Sequence, residues 1–281
     1  MKESSITRRK VVDMAVRFLS AAGSGLGLFI LLWILYEVMI RGLGAINLAF
    51  FTELPTPPGM GGGGLANAIV GTLLITMLAT VLGVPIGILS GIFLSEFGQH
   101  SRFAEGVRFT ANILMGTPSI IIGVFIYTVL VLSVGHFSGY AGAVALAIIM
   151  LPVVARTTED MLQLVPNAIR ESALALGAPR WRMTLSIVFR SAKTGLITGV
   201  LLAIARVSGE TAPLLFTTLN SPFWPTSMAN VMPNLTVTIF NYAMSPYADW
   251  QKAAWGASFL ITIAVLIINI FSRIVFKEKV K

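Results

Sequence analysis

The sequence Arg170-Glu171-Ser172-Ala173-Leu174-Ala175-Leu176-Gly177 lies at the centre of a polar, basic segment, residues 156–194, between two charge-poor apolar regions. Most of residues 168–176 are strong helix formers, and Asn167 before them is a favourable N-cap. Gly177 ends such a helix readily because glycine adopts a positive φ at little cost, and Pro179 suits the first turn of a second helix. The segment is therefore predicted to form a helix, a tight corner and a second short helix.

The first of these helices has an apolar face. Ile169, Ala173 and Leu176 follow one another at i, i+4 and i+7, so a helix places them on one side. Such a ridge suits a groove on another protein. The alternative is an ordinary helical hairpin that packs on its own membrane domain.

The composition excludes an ordinary soluble domain. Hydrophobic residues make up 56% of the chain and charged residues 11%, with a mean hydropathy of +0.84, whereas soluble domains carry roughly 25% charged residues. Residues 54–95 and 109–155 contain no Asp, Glu, Lys or Arg, and about 20 apolar residues suffice to cross a bilayer as a helix. We predict an all-α polytopic membrane protein in which residues 1–281 form a single transmembrane domain. Its six spans are expected near residues 18–40, 66–94, 109–134, 139–155, 195–219 and 255–276.

The distribution of the 20 Lys and Arg residues predicts the orientation of these spans. Most of them fall in residues 1–17, 96–108, 156–194 and after 272, so the positive-inside rule places both termini and the 156–194 loop in the cytoplasm. Residues 220–254 then form an external loop, in which 235–244 are too short to span and are predicted to be interfacial or re-entrant. The net charge of +8 follows from this topology and is not taken as a sign of nucleic-acid binding.

Small residues and prolines predict the character of the spans. Small residues recur at every fourth position, which lets helices approach closely in lipid; they are Gly83, Gly87 and Gly91 in the second span, and Gly195, Gly199 and Ala203 in the fifth. Prolines interrupt four spans, and each frees a carbonyl and favours a kink that can line a cavity; they are Pro85, Pro118, Pro152 and Pro213.

Several kinds of chemistry have no support in the sequence. The chain has no cysteine and no His or carboxylate cluster at ligand spacing, so no metal site and no catalytic residues are assigned. The glycine-rich stretch 55–64 is not followed by Gly-Lys-Ser/Thr and is interpreted as a flexible connector. Since no other stretch has the phosphate-binding pattern, any ATP and Mg that power this protein are expected to be bound by another polypeptide.

Two charges lie inside the fifth predicted span. In a continuous helix Arg206 and Glu210 are four residues apart and face the same way, with Arg206 roughly 16 Å into a core about 30 Å thick. Insertion of such a group costs roughly 2.5–3.5 kcal/mol, so it should be paired or face water. One alternative is an ion pair that neutralises itself, although Arg before Glu is the less favourable order. The interpretation we favour is a substrate pathway, because a guanidinium binds oxyanions through two parallel hydrogen bonds.

Thr117 and Ser119 in the third span are weaker candidates for the same pathway. Their hydroxyls could donate to a passing anion. They could equally satisfy the Leu114 carbonyl that Pro118 frees.

Two groups of residues resemble known signatures. Glu171-Ser172-Ala173 with Gly177 and Ile187 is similar to the E-A-A-x3-G-x9-I signature of the permease subunits of ATP-binding-cassette (ABC) importers, although Ser172 replaces an alanine and Phe189-Arg190 stand where Leu-Pro is usual. Arg206-x-x-Gly209-Glu210-Thr211-Ala212-Pro213, together with Thr117-Pro118-Ser119, resembles the PstA family, the permeases of phosphate ABC importers.

The resemblance implies a type I ABC importer permease fold and phosphate uptake across a bacterial or archaeal inner membrane. It implies a homologous permease of the PstC type, an ATPase dimer of the PstB type and an external binding protein of the PstS type as partners. Glu171 and Gly177 are then ATPase-docking residues, and Arg206 and Glu210 act in transport. The alternatives are a permease for another oxyanion, such as molybdate or sulfate, and a passive anion channel or secondary transporter that needs no nucleotide.

Overall fold

A computed structural model of the chain describes residues 3–99 and 101–275, and every regular element in this range is helical. In chain order the helices are α1 (Glu3–Leu43), α2 (Leu48–Thr52), α3 (Ala66–Ile92), α4 (Arg102–Gly116), α5 (Ser119–Ile126), α6 (Leu132–Val134), α7 (Gly139–Gln163), α8 (Asn167–Ala175), α9 (Arg180–Met183), α10 (Phe189–Val207), α11 (Ala212–Leu215), α12 (Leu235–Ala243) and α13 (Ala248–Val275). Three π turns extend them, namely Phe93–Phe97 after α3, Tyr127–Val131 between α5 and α6, and Thr184–Val188 between α9 and α10. Four of the basic residues on which the predicted orientation rests lie outside the described residues, namely Lys2, Lys277, Lys279 and Lys281.

Five helical stretches are long and apolar enough to cross a membrane, and a sixth exists if α4 and the α5–α6 stretch are counted as one bent span. The bend between these two is 104°, so the predicted span 109–134 is broken and not merely kinked. Thr117 at the break is extended, with φ −76° and ψ 131°. The residue before a proline is pushed out of the α region, which explains why α4 ends at Gly116 and why Pro118 precedes α5.

Two further predicted spans have different bounds. The fourth was expected to end at residue 155, but α7 continues to Gln163 with Pro152 inside it. The fifth was expected as one helix over 195–219, but α10 ends at Val207, and Pro213 lies in the first turn of the separate helix α11. Pro85 and Pro152 therefore lie inside helices as predicted, whereas Pro118 and Pro213 mark breaks between helices.

Helix α7 is the centre of the bundle and packs between α3 and α10. A Cβ atom built on Gly87 would lie 2.8 Å from Val154 Cβ, and one built on Gly91 would lie 2.5 Å from Thr158 Cβ. On an adjacent face of α7, Gly195 packs against Met161, and Gly199 packs against Thr157. The predicted role of the small residues in close packing is confirmed.

Helix α1 differs from the other long helices because most of it does not pack on any other helix in the described part of the chain. Its residues 8–34 are exposed. Contact begins near its end, where Gly42 packs against Phe259 of α13 and Arg41 lies over the Trp255 ring at 5.2 Å. Arg41 also pairs with Glu37 at 2.6 Å.

The predicted external loop is folded against the bundle. Helix α12, in the segment predicted to be interfacial or re-entrant, is largely buried and packs on α13 and α3. The glycine-rich connector is also held at both ends, because Gly64 N–H donates to Leu54 O at 3.0 Å and Trp250 Nε1 donates to Thr56 O at 3.3 Å. Trp250 stacks on Tyr242, with ring centroids 4.4 Å apart.

We expect Gly91→Leu to destabilise the bundle, because its Cβ would also lie 2.6 Å from Ala155 O, a backbone atom that cannot rotate away. Overpacking of this kind costs roughly 1–3 kcal/mol. The measurement is thermal unfolding of the purified chain in detergent. Gly25→Leu on α1 is the control, since nothing lies within 4 Å of its Cβ position. Equal melting temperatures for the two variants would contradict close packing at Gly91.

Candidate functional site

Arg206 and Glu210 stand on either side of the end of a helix. Helix α10 ends at Val207, and the chain then turns, with Gly209 N–H donating to Arg206 O at 3.3 Å and Glu210 N–H donating to Val207 O at 3.2 Å. The predicted i, i+4 geometry is therefore wrong, because Glu210 lies outside the helix. Within residues 3–99 and 101–275, no ion pair or side-chain hydrogen bond joins these two residues.

The side chain of Arg206 is exposed on the surface of this chain. Its neighbours Ala205 and Val207 are 4% and 1% exposed, so the guanidinium projects from a helix whose other face is packed. Arg206 follows Lys193, the last basic residue of the 156–194 segment, by about 20 Å of helix at 1.5 Å per residue. A charge at that depth is costly in lipid, which indicates that this face of α10 meets water or another polar surface.

A buried polar network holds the chain where α10 breaks. Thr236 Oγ1 donates to Glu210 O at 2.9 Å, and Asn234 Nδ2 donates to Thr218 Oγ1 at 3.0 Å. Asn234 also caps α12 by accepting from Val237 N–H at 2.9 Å. These bonds satisfy backbone groups that a broken helix would otherwise leave unpaired in an apolar environment. Sequence reasoning missed Asn234 and Thr236, for which the available signal was a good N-cap before a short apolar helix.

The two breaks pack against each other. Gly123 of α5 meets Pro213 at the start of α11, where a Cβ atom on Gly123 would lie 2.6 Å from Pro213 Cα. Thr117 and Ser119 are half-buried near the start of α5. Thr117 Oγ1 donates to Ile113 O at 2.8 Å and its N–H donates to Leu114 O at 3.3 Å, so the backbone, not a hydroxyl, satisfies the Leu114 carbonyl. Among the described residues, no hydrogen bond joins Thr117 or Ser119 to Arg206 or Glu210.

The predicted corner at Gly177 is present. Gly177 has φ +80°, its N–H donates to Leu174 O at 2.9 Å, and Ala178 N–H donates to Ala173 O at 3.2 Å. These two bonds are the Schellman pattern of a helix C-terminus. The start of α8 differs from the prediction, since Pro166 is the N-cap and Asn167 is the first helical residue.

The apolar face of α8 is divided between two environments. Ala173 is 5% exposed and packs on the cluster that contains Leu162 and Val188, whereas Ile169 is 40% exposed and Leu176 is 89% exposed. The predicted single ridge is therefore partly internal. The exposed part forms a shallow groove of about 370 Å³, lined by Ala168, Ile169, Ser172, Ala173, Leu176 and Ile187. Glu171 is exposed beside it.

The second helix of the segment is not short. Helix α9 begins at Arg180 and passes through the π turn Thr184–Val188 into α10 without a break. A candidate span therefore runs from Arg180 to Val207. This helix joins the corner at Gly177 to Arg206 along one axis.

Two buried ion pairs lie at the end of the bundle where α3 and α7 finish, which is called its base below. Sequence reasoning missed both. The first joins Arg170 of α8 to Glu96 in the π turn after α3, with Nη2 2.8 Å from Oε1, and the two side chains are 13% and 4% exposed. The second joins Arg108 of α4 to Glu159 of α7 at 2.7 Å, and Glu159 is 2% exposed. The sequence carried one hint, because Glu96 and Arg108 directly flank the charge-free stretches 54–95 and 109–155.

Glu159 collects several donors. Besides Arg108, it accepts from Gln163 Nε2 at 3.2 Å and from Arg156 Nη1 at 3.5 Å, and Arg156 also pairs with Asp160 at 3.2 Å. A buried carboxylate needs such donors, since an unpaired buried charge is strongly unfavourable. No group of three or more His, Cys, Asp or Glu in the described part of the chain could hold a metal ion.

Comparison with protein families and known proteins places this geometry in context. The family model for the binding-protein-dependent transport system inner membrane component matches residues 83–277. The phosphate transport system permease protein PstA of Yersinia pestis is 51% identical over 93% of this chain and 88% of that protein. The protein of the same name from Pasteurella multocida is 48% identical over 97% of each chain. A probable phosphate transport system permease protein PstA of Methanocaldococcus jannaschii is 34% identical over 98% of this chain and 97% of that protein.

Solved structures share the fold. A chain of the MetNI methionine ABC transporter in an inward-facing conformation aligns with a TM-score of 0.62 at 20% identity, covering 76% of this chain and 94% of that one. A chain of an amino acid ABC transporter aligns with a TM-score of 0.54 at 19% identity, covering 74% and 92%. The fold is therefore that of the ABC importer permeases.

We expect Glu159→Gln to destabilise the chain by roughly 3 kcal/mol, because loss of one member of a buried ion pair leaves the other charge without a counter-charge. Thermal or denaturant unfolding in detergent measures this change. Asp13→Asn is the matched control, since it breaks the Asp13–Arg17 pair, whose side chains are 59% and 78% exposed, and exposed pairs contribute about 0–1 kcal/mol. A Glu159→Gln variant as stable as Asp13→Asn would show that the Glu159 cluster contributes little to stability.

Proposed function

Because the chain belongs to the family of binding-protein-dependent transport system inner membrane components and, within it, to the PstA phosphate transport permeases, we propose that it is the membrane permease subunit of an ATP-driven ABC importer that carries inorganic phosphate into the cytoplasm. The observation that carries this proposal is the 51% identity to a phosphate permease over 93% of the chain. An ATPase and a substrate-binding protein are separate partners of such a permease.

The finer assignments form part of the same proposal. The partner permease is of the PstC type, the ATPase dimer of the PstB type and the external binding protein of the PstS type. ATP and Mg are bound by the ATPase subunits, and this chain has no nucleotide site of its own. Both termini and the 156–194 loop face the cytoplasm, and residues 220–254 face outward, in agreement with the positive-inside rule.

Arg206 is the phosphate-contacting residue of this proposal. Its guanidinium is exposed at the end of a packed helix, where it can donate two parallel hydrogen bonds to an oxyanion. Glu210 is half-buried and makes no ion pair with it, so no carboxylate among residues 3–99 and 101–275 neutralises the guanidinium. Thr117 and Ser119 lie on the neighbouring broken span, farther along the pathway. The Ser119 hydroxyl can donate to the anion there, whereas the Thr117 hydroxyl already donates to Ile113 O.

Helix α8 is the ATPase-docking element. Ile169 and Leu176 are the exposed apolar contacts, Glu171 is the charged contact, and Ala173 and Gly177 hold α8 in place through packing and the corner. An exposed helix with apolar side chains and a flanking charge suits insertion into a cleft on a partner protein. Movement of that partner displaces α8 relative to the membrane and shifts the balance between inward-open and outward-open packings.

We expect Arg206→Gln to abolish phosphate uptake while the complex still assembles, because the amide keeps the polarity but loses the charge and the fork of donors. Uptake is measured in liposomes that contain this chain, its partner permease, the ATPase and the binding protein, with phosphate, sulfate and molybdate each titrated in turn. Arg190→Gln is the control, since Arg190 is an exposed arginine farther down the same helix.

Wild-type uptake by Arg206→Gln would remove Arg206 from the pathway. Transport of sulfate or molybdate in preference to phosphate by the unmodified complex would assign another oxyanion. Phosphate flux from this chain alone, without ATP, would instead favour a channel.

We expect Leu176→Asp to reduce co-purification of the ATPase by at least tenfold, because a buried charge in an apolar contact is unfavourable. Leu164→Asp is the control, since Leu164 is an exposed leucine that precedes α8 and lies outside its groove. The amount of ATPase retained by affinity-purified permease is the measurement. Full retention by Leu176→Asp would contradict docking through this groove.

A further inference from the structure

Helix α3 ends in a π turn, on its proposed cytoplasmic side, and side chains satisfy the carbonyls that this turn leaves free. In the π turn Phe93–Phe97, Gly98 N–H donates to Phe93 O at 2.7 Å, five residues back. Carbonyls that an α-helix would satisfy are thereby released. Arg108 Nη2 donates to Leu94 O at 2.8 Å, and Gln99 Nε2 donates to Ser95 O at 2.9 Å. The turn is thus held by side chains and provides a fixed position for Glu96.

Arg170 joins α8 to this turn and to α7 at once. Its Nη2 and Nε donate to the two carboxylate oxygens of Glu96 at 2.8 Å and 3.3 Å. The same guanidinium donates to Leu162 O at 2.7 Å and to Val165 O. A cation is favourable at a helix C-terminus, and a two-point contact with a carboxylate fixes orientation as well as distance. One side chain therefore connects three helices.

The other contact between α8 and the bundle has a different mechanical character. Ala173 packs on an apolar cluster, and apolar contact is not directional. It opposes separation, because separation would expose apolar surface to water, but it does little to prevent sliding or rotation. The Arg170–Glu96 pair resists displacement in every direction, since both its hydrogen bonds and its charges oppose separation.

Two of the helices that Arg170 connects, α3 and α7, pack closely on each other, and α7 also packs closely on α10. Helix α3 meets α7 through Gly87 and Gly91, and α7 meets α10 through Gly195 and Gly199. Arg206 lies at the far end of α10. A displacement of the bases of α3 and α7 is therefore passed through backbone-close contacts to the helix that carries Arg206.

We propose that Glu96 and Arg170 form a positioning pair that transmits movement of the docked ATPase from α8 to α3 and α7. The proposal rests on the proposed function, in which α8 docks the ATPase. Glu96 and Arg170 contact neither nucleotide nor phosphate, and they act by making α8 move with the bundle.

The first test measures coupling in the complete complex in liposomes, as phosphate transported per ATP hydrolysed. Glu96→Gln removes the charge and Arg170→Lys replaces the planar fork by a single point charge. We expect both variants to assemble with the ATPase and hydrolyse ATP, while phosphate transported per ATP falls at least about fivefold, the lower end of typical coupling strengths. Arg17→Gln, which breaks the exposed Asp13–Arg17 pair, should leave the ratio unchanged. An unchanged ratio in Glu96→Gln and Arg170→Lys would overturn the proposal.

The second test needs no transported substrate, so it stands even if the substrate is not phosphate. The chain has no cysteine, and spin labels at Ala175→Cys on α8 and Tyr140→Cys at the opposite end of α7 report one distance. We expect that distance to be the same in the nucleotide-free and ATP-trapped complexes of the unmodified chain, because α8 and α7 move together. In Glu96→Gln it should change when ATP is trapped. An equal change in both chains, or no change in either, would show that the pair does not hold α8 to α7.

Discussion

Close contact of α3 and α10 with α7 is the constraint on which the rest of the structure depends. In lipid, helices gain little by hiding apolar surface from one another, and association comes from packing and from hydrogen bonds. Glycines remove the side chains at the points where α7 meets each neighbour, so many weak dispersion contacts form along the backbones. With α7 held by both neighbours, its C-terminal end is fixed, and Glu159 and the Leu162 carbonyl can receive arginines from α4 and α8.

The two broken spans follow a second rule of the membrane interior, that every freed backbone group needs a partner. At Pro118 the partners come from the local chain, because Thr117 donates through both its N–H and its hydroxyl to the preceding turn. Beyond α10 they come from a distance, since Thr236 bonds to Glu210 O across 26 residues. A break whose backbone groups are paired in this way is stable. The Arg206 side chain, next to the break, projects from the bundle.

Local patterns were predicted well from the sequence, and long-range placement was not. The corner at Gly177 depends on one positive φ, and the contacts of Gly83, Gly87 and Gly91 depend on a repeat within one helix, so both could be recognised from neighbouring residues. The prolines at 118 and 213 were recognised as interruptions, but a kink and a break look alike in the sequence because the path of the following chain decides between them. The same limit explains why Glu210 was placed on the helix of Arg206.

The buried ion pairs lay beyond the reach of sequence reasoning for a related reason. Glu96 and Arg170 are 74 residues apart, and Arg108 and Glu159 are 51 residues apart. Charges beside a span look like ordinary solvated residues until the helices between them are placed. Only the folded chain shows that these four side chains are removed from water and therefore must be paired.

The freestanding part of α1 has a consequence of its own. Its predicted span, residues 18–40, is about 35 Å long at 1.5 Å per residue, slightly longer than a hydrocarbon core of about 30 Å, and the helix continues towards the N-terminus through the charged residues 8–17. Among the described residues its contacts with other helices lie near Gly42, so along most of its length lipid or neighbouring proteins set its angle. An overlong helix matches its surroundings by leaning. We therefore expect α1 to tilt more in thin bilayers than in thick ones.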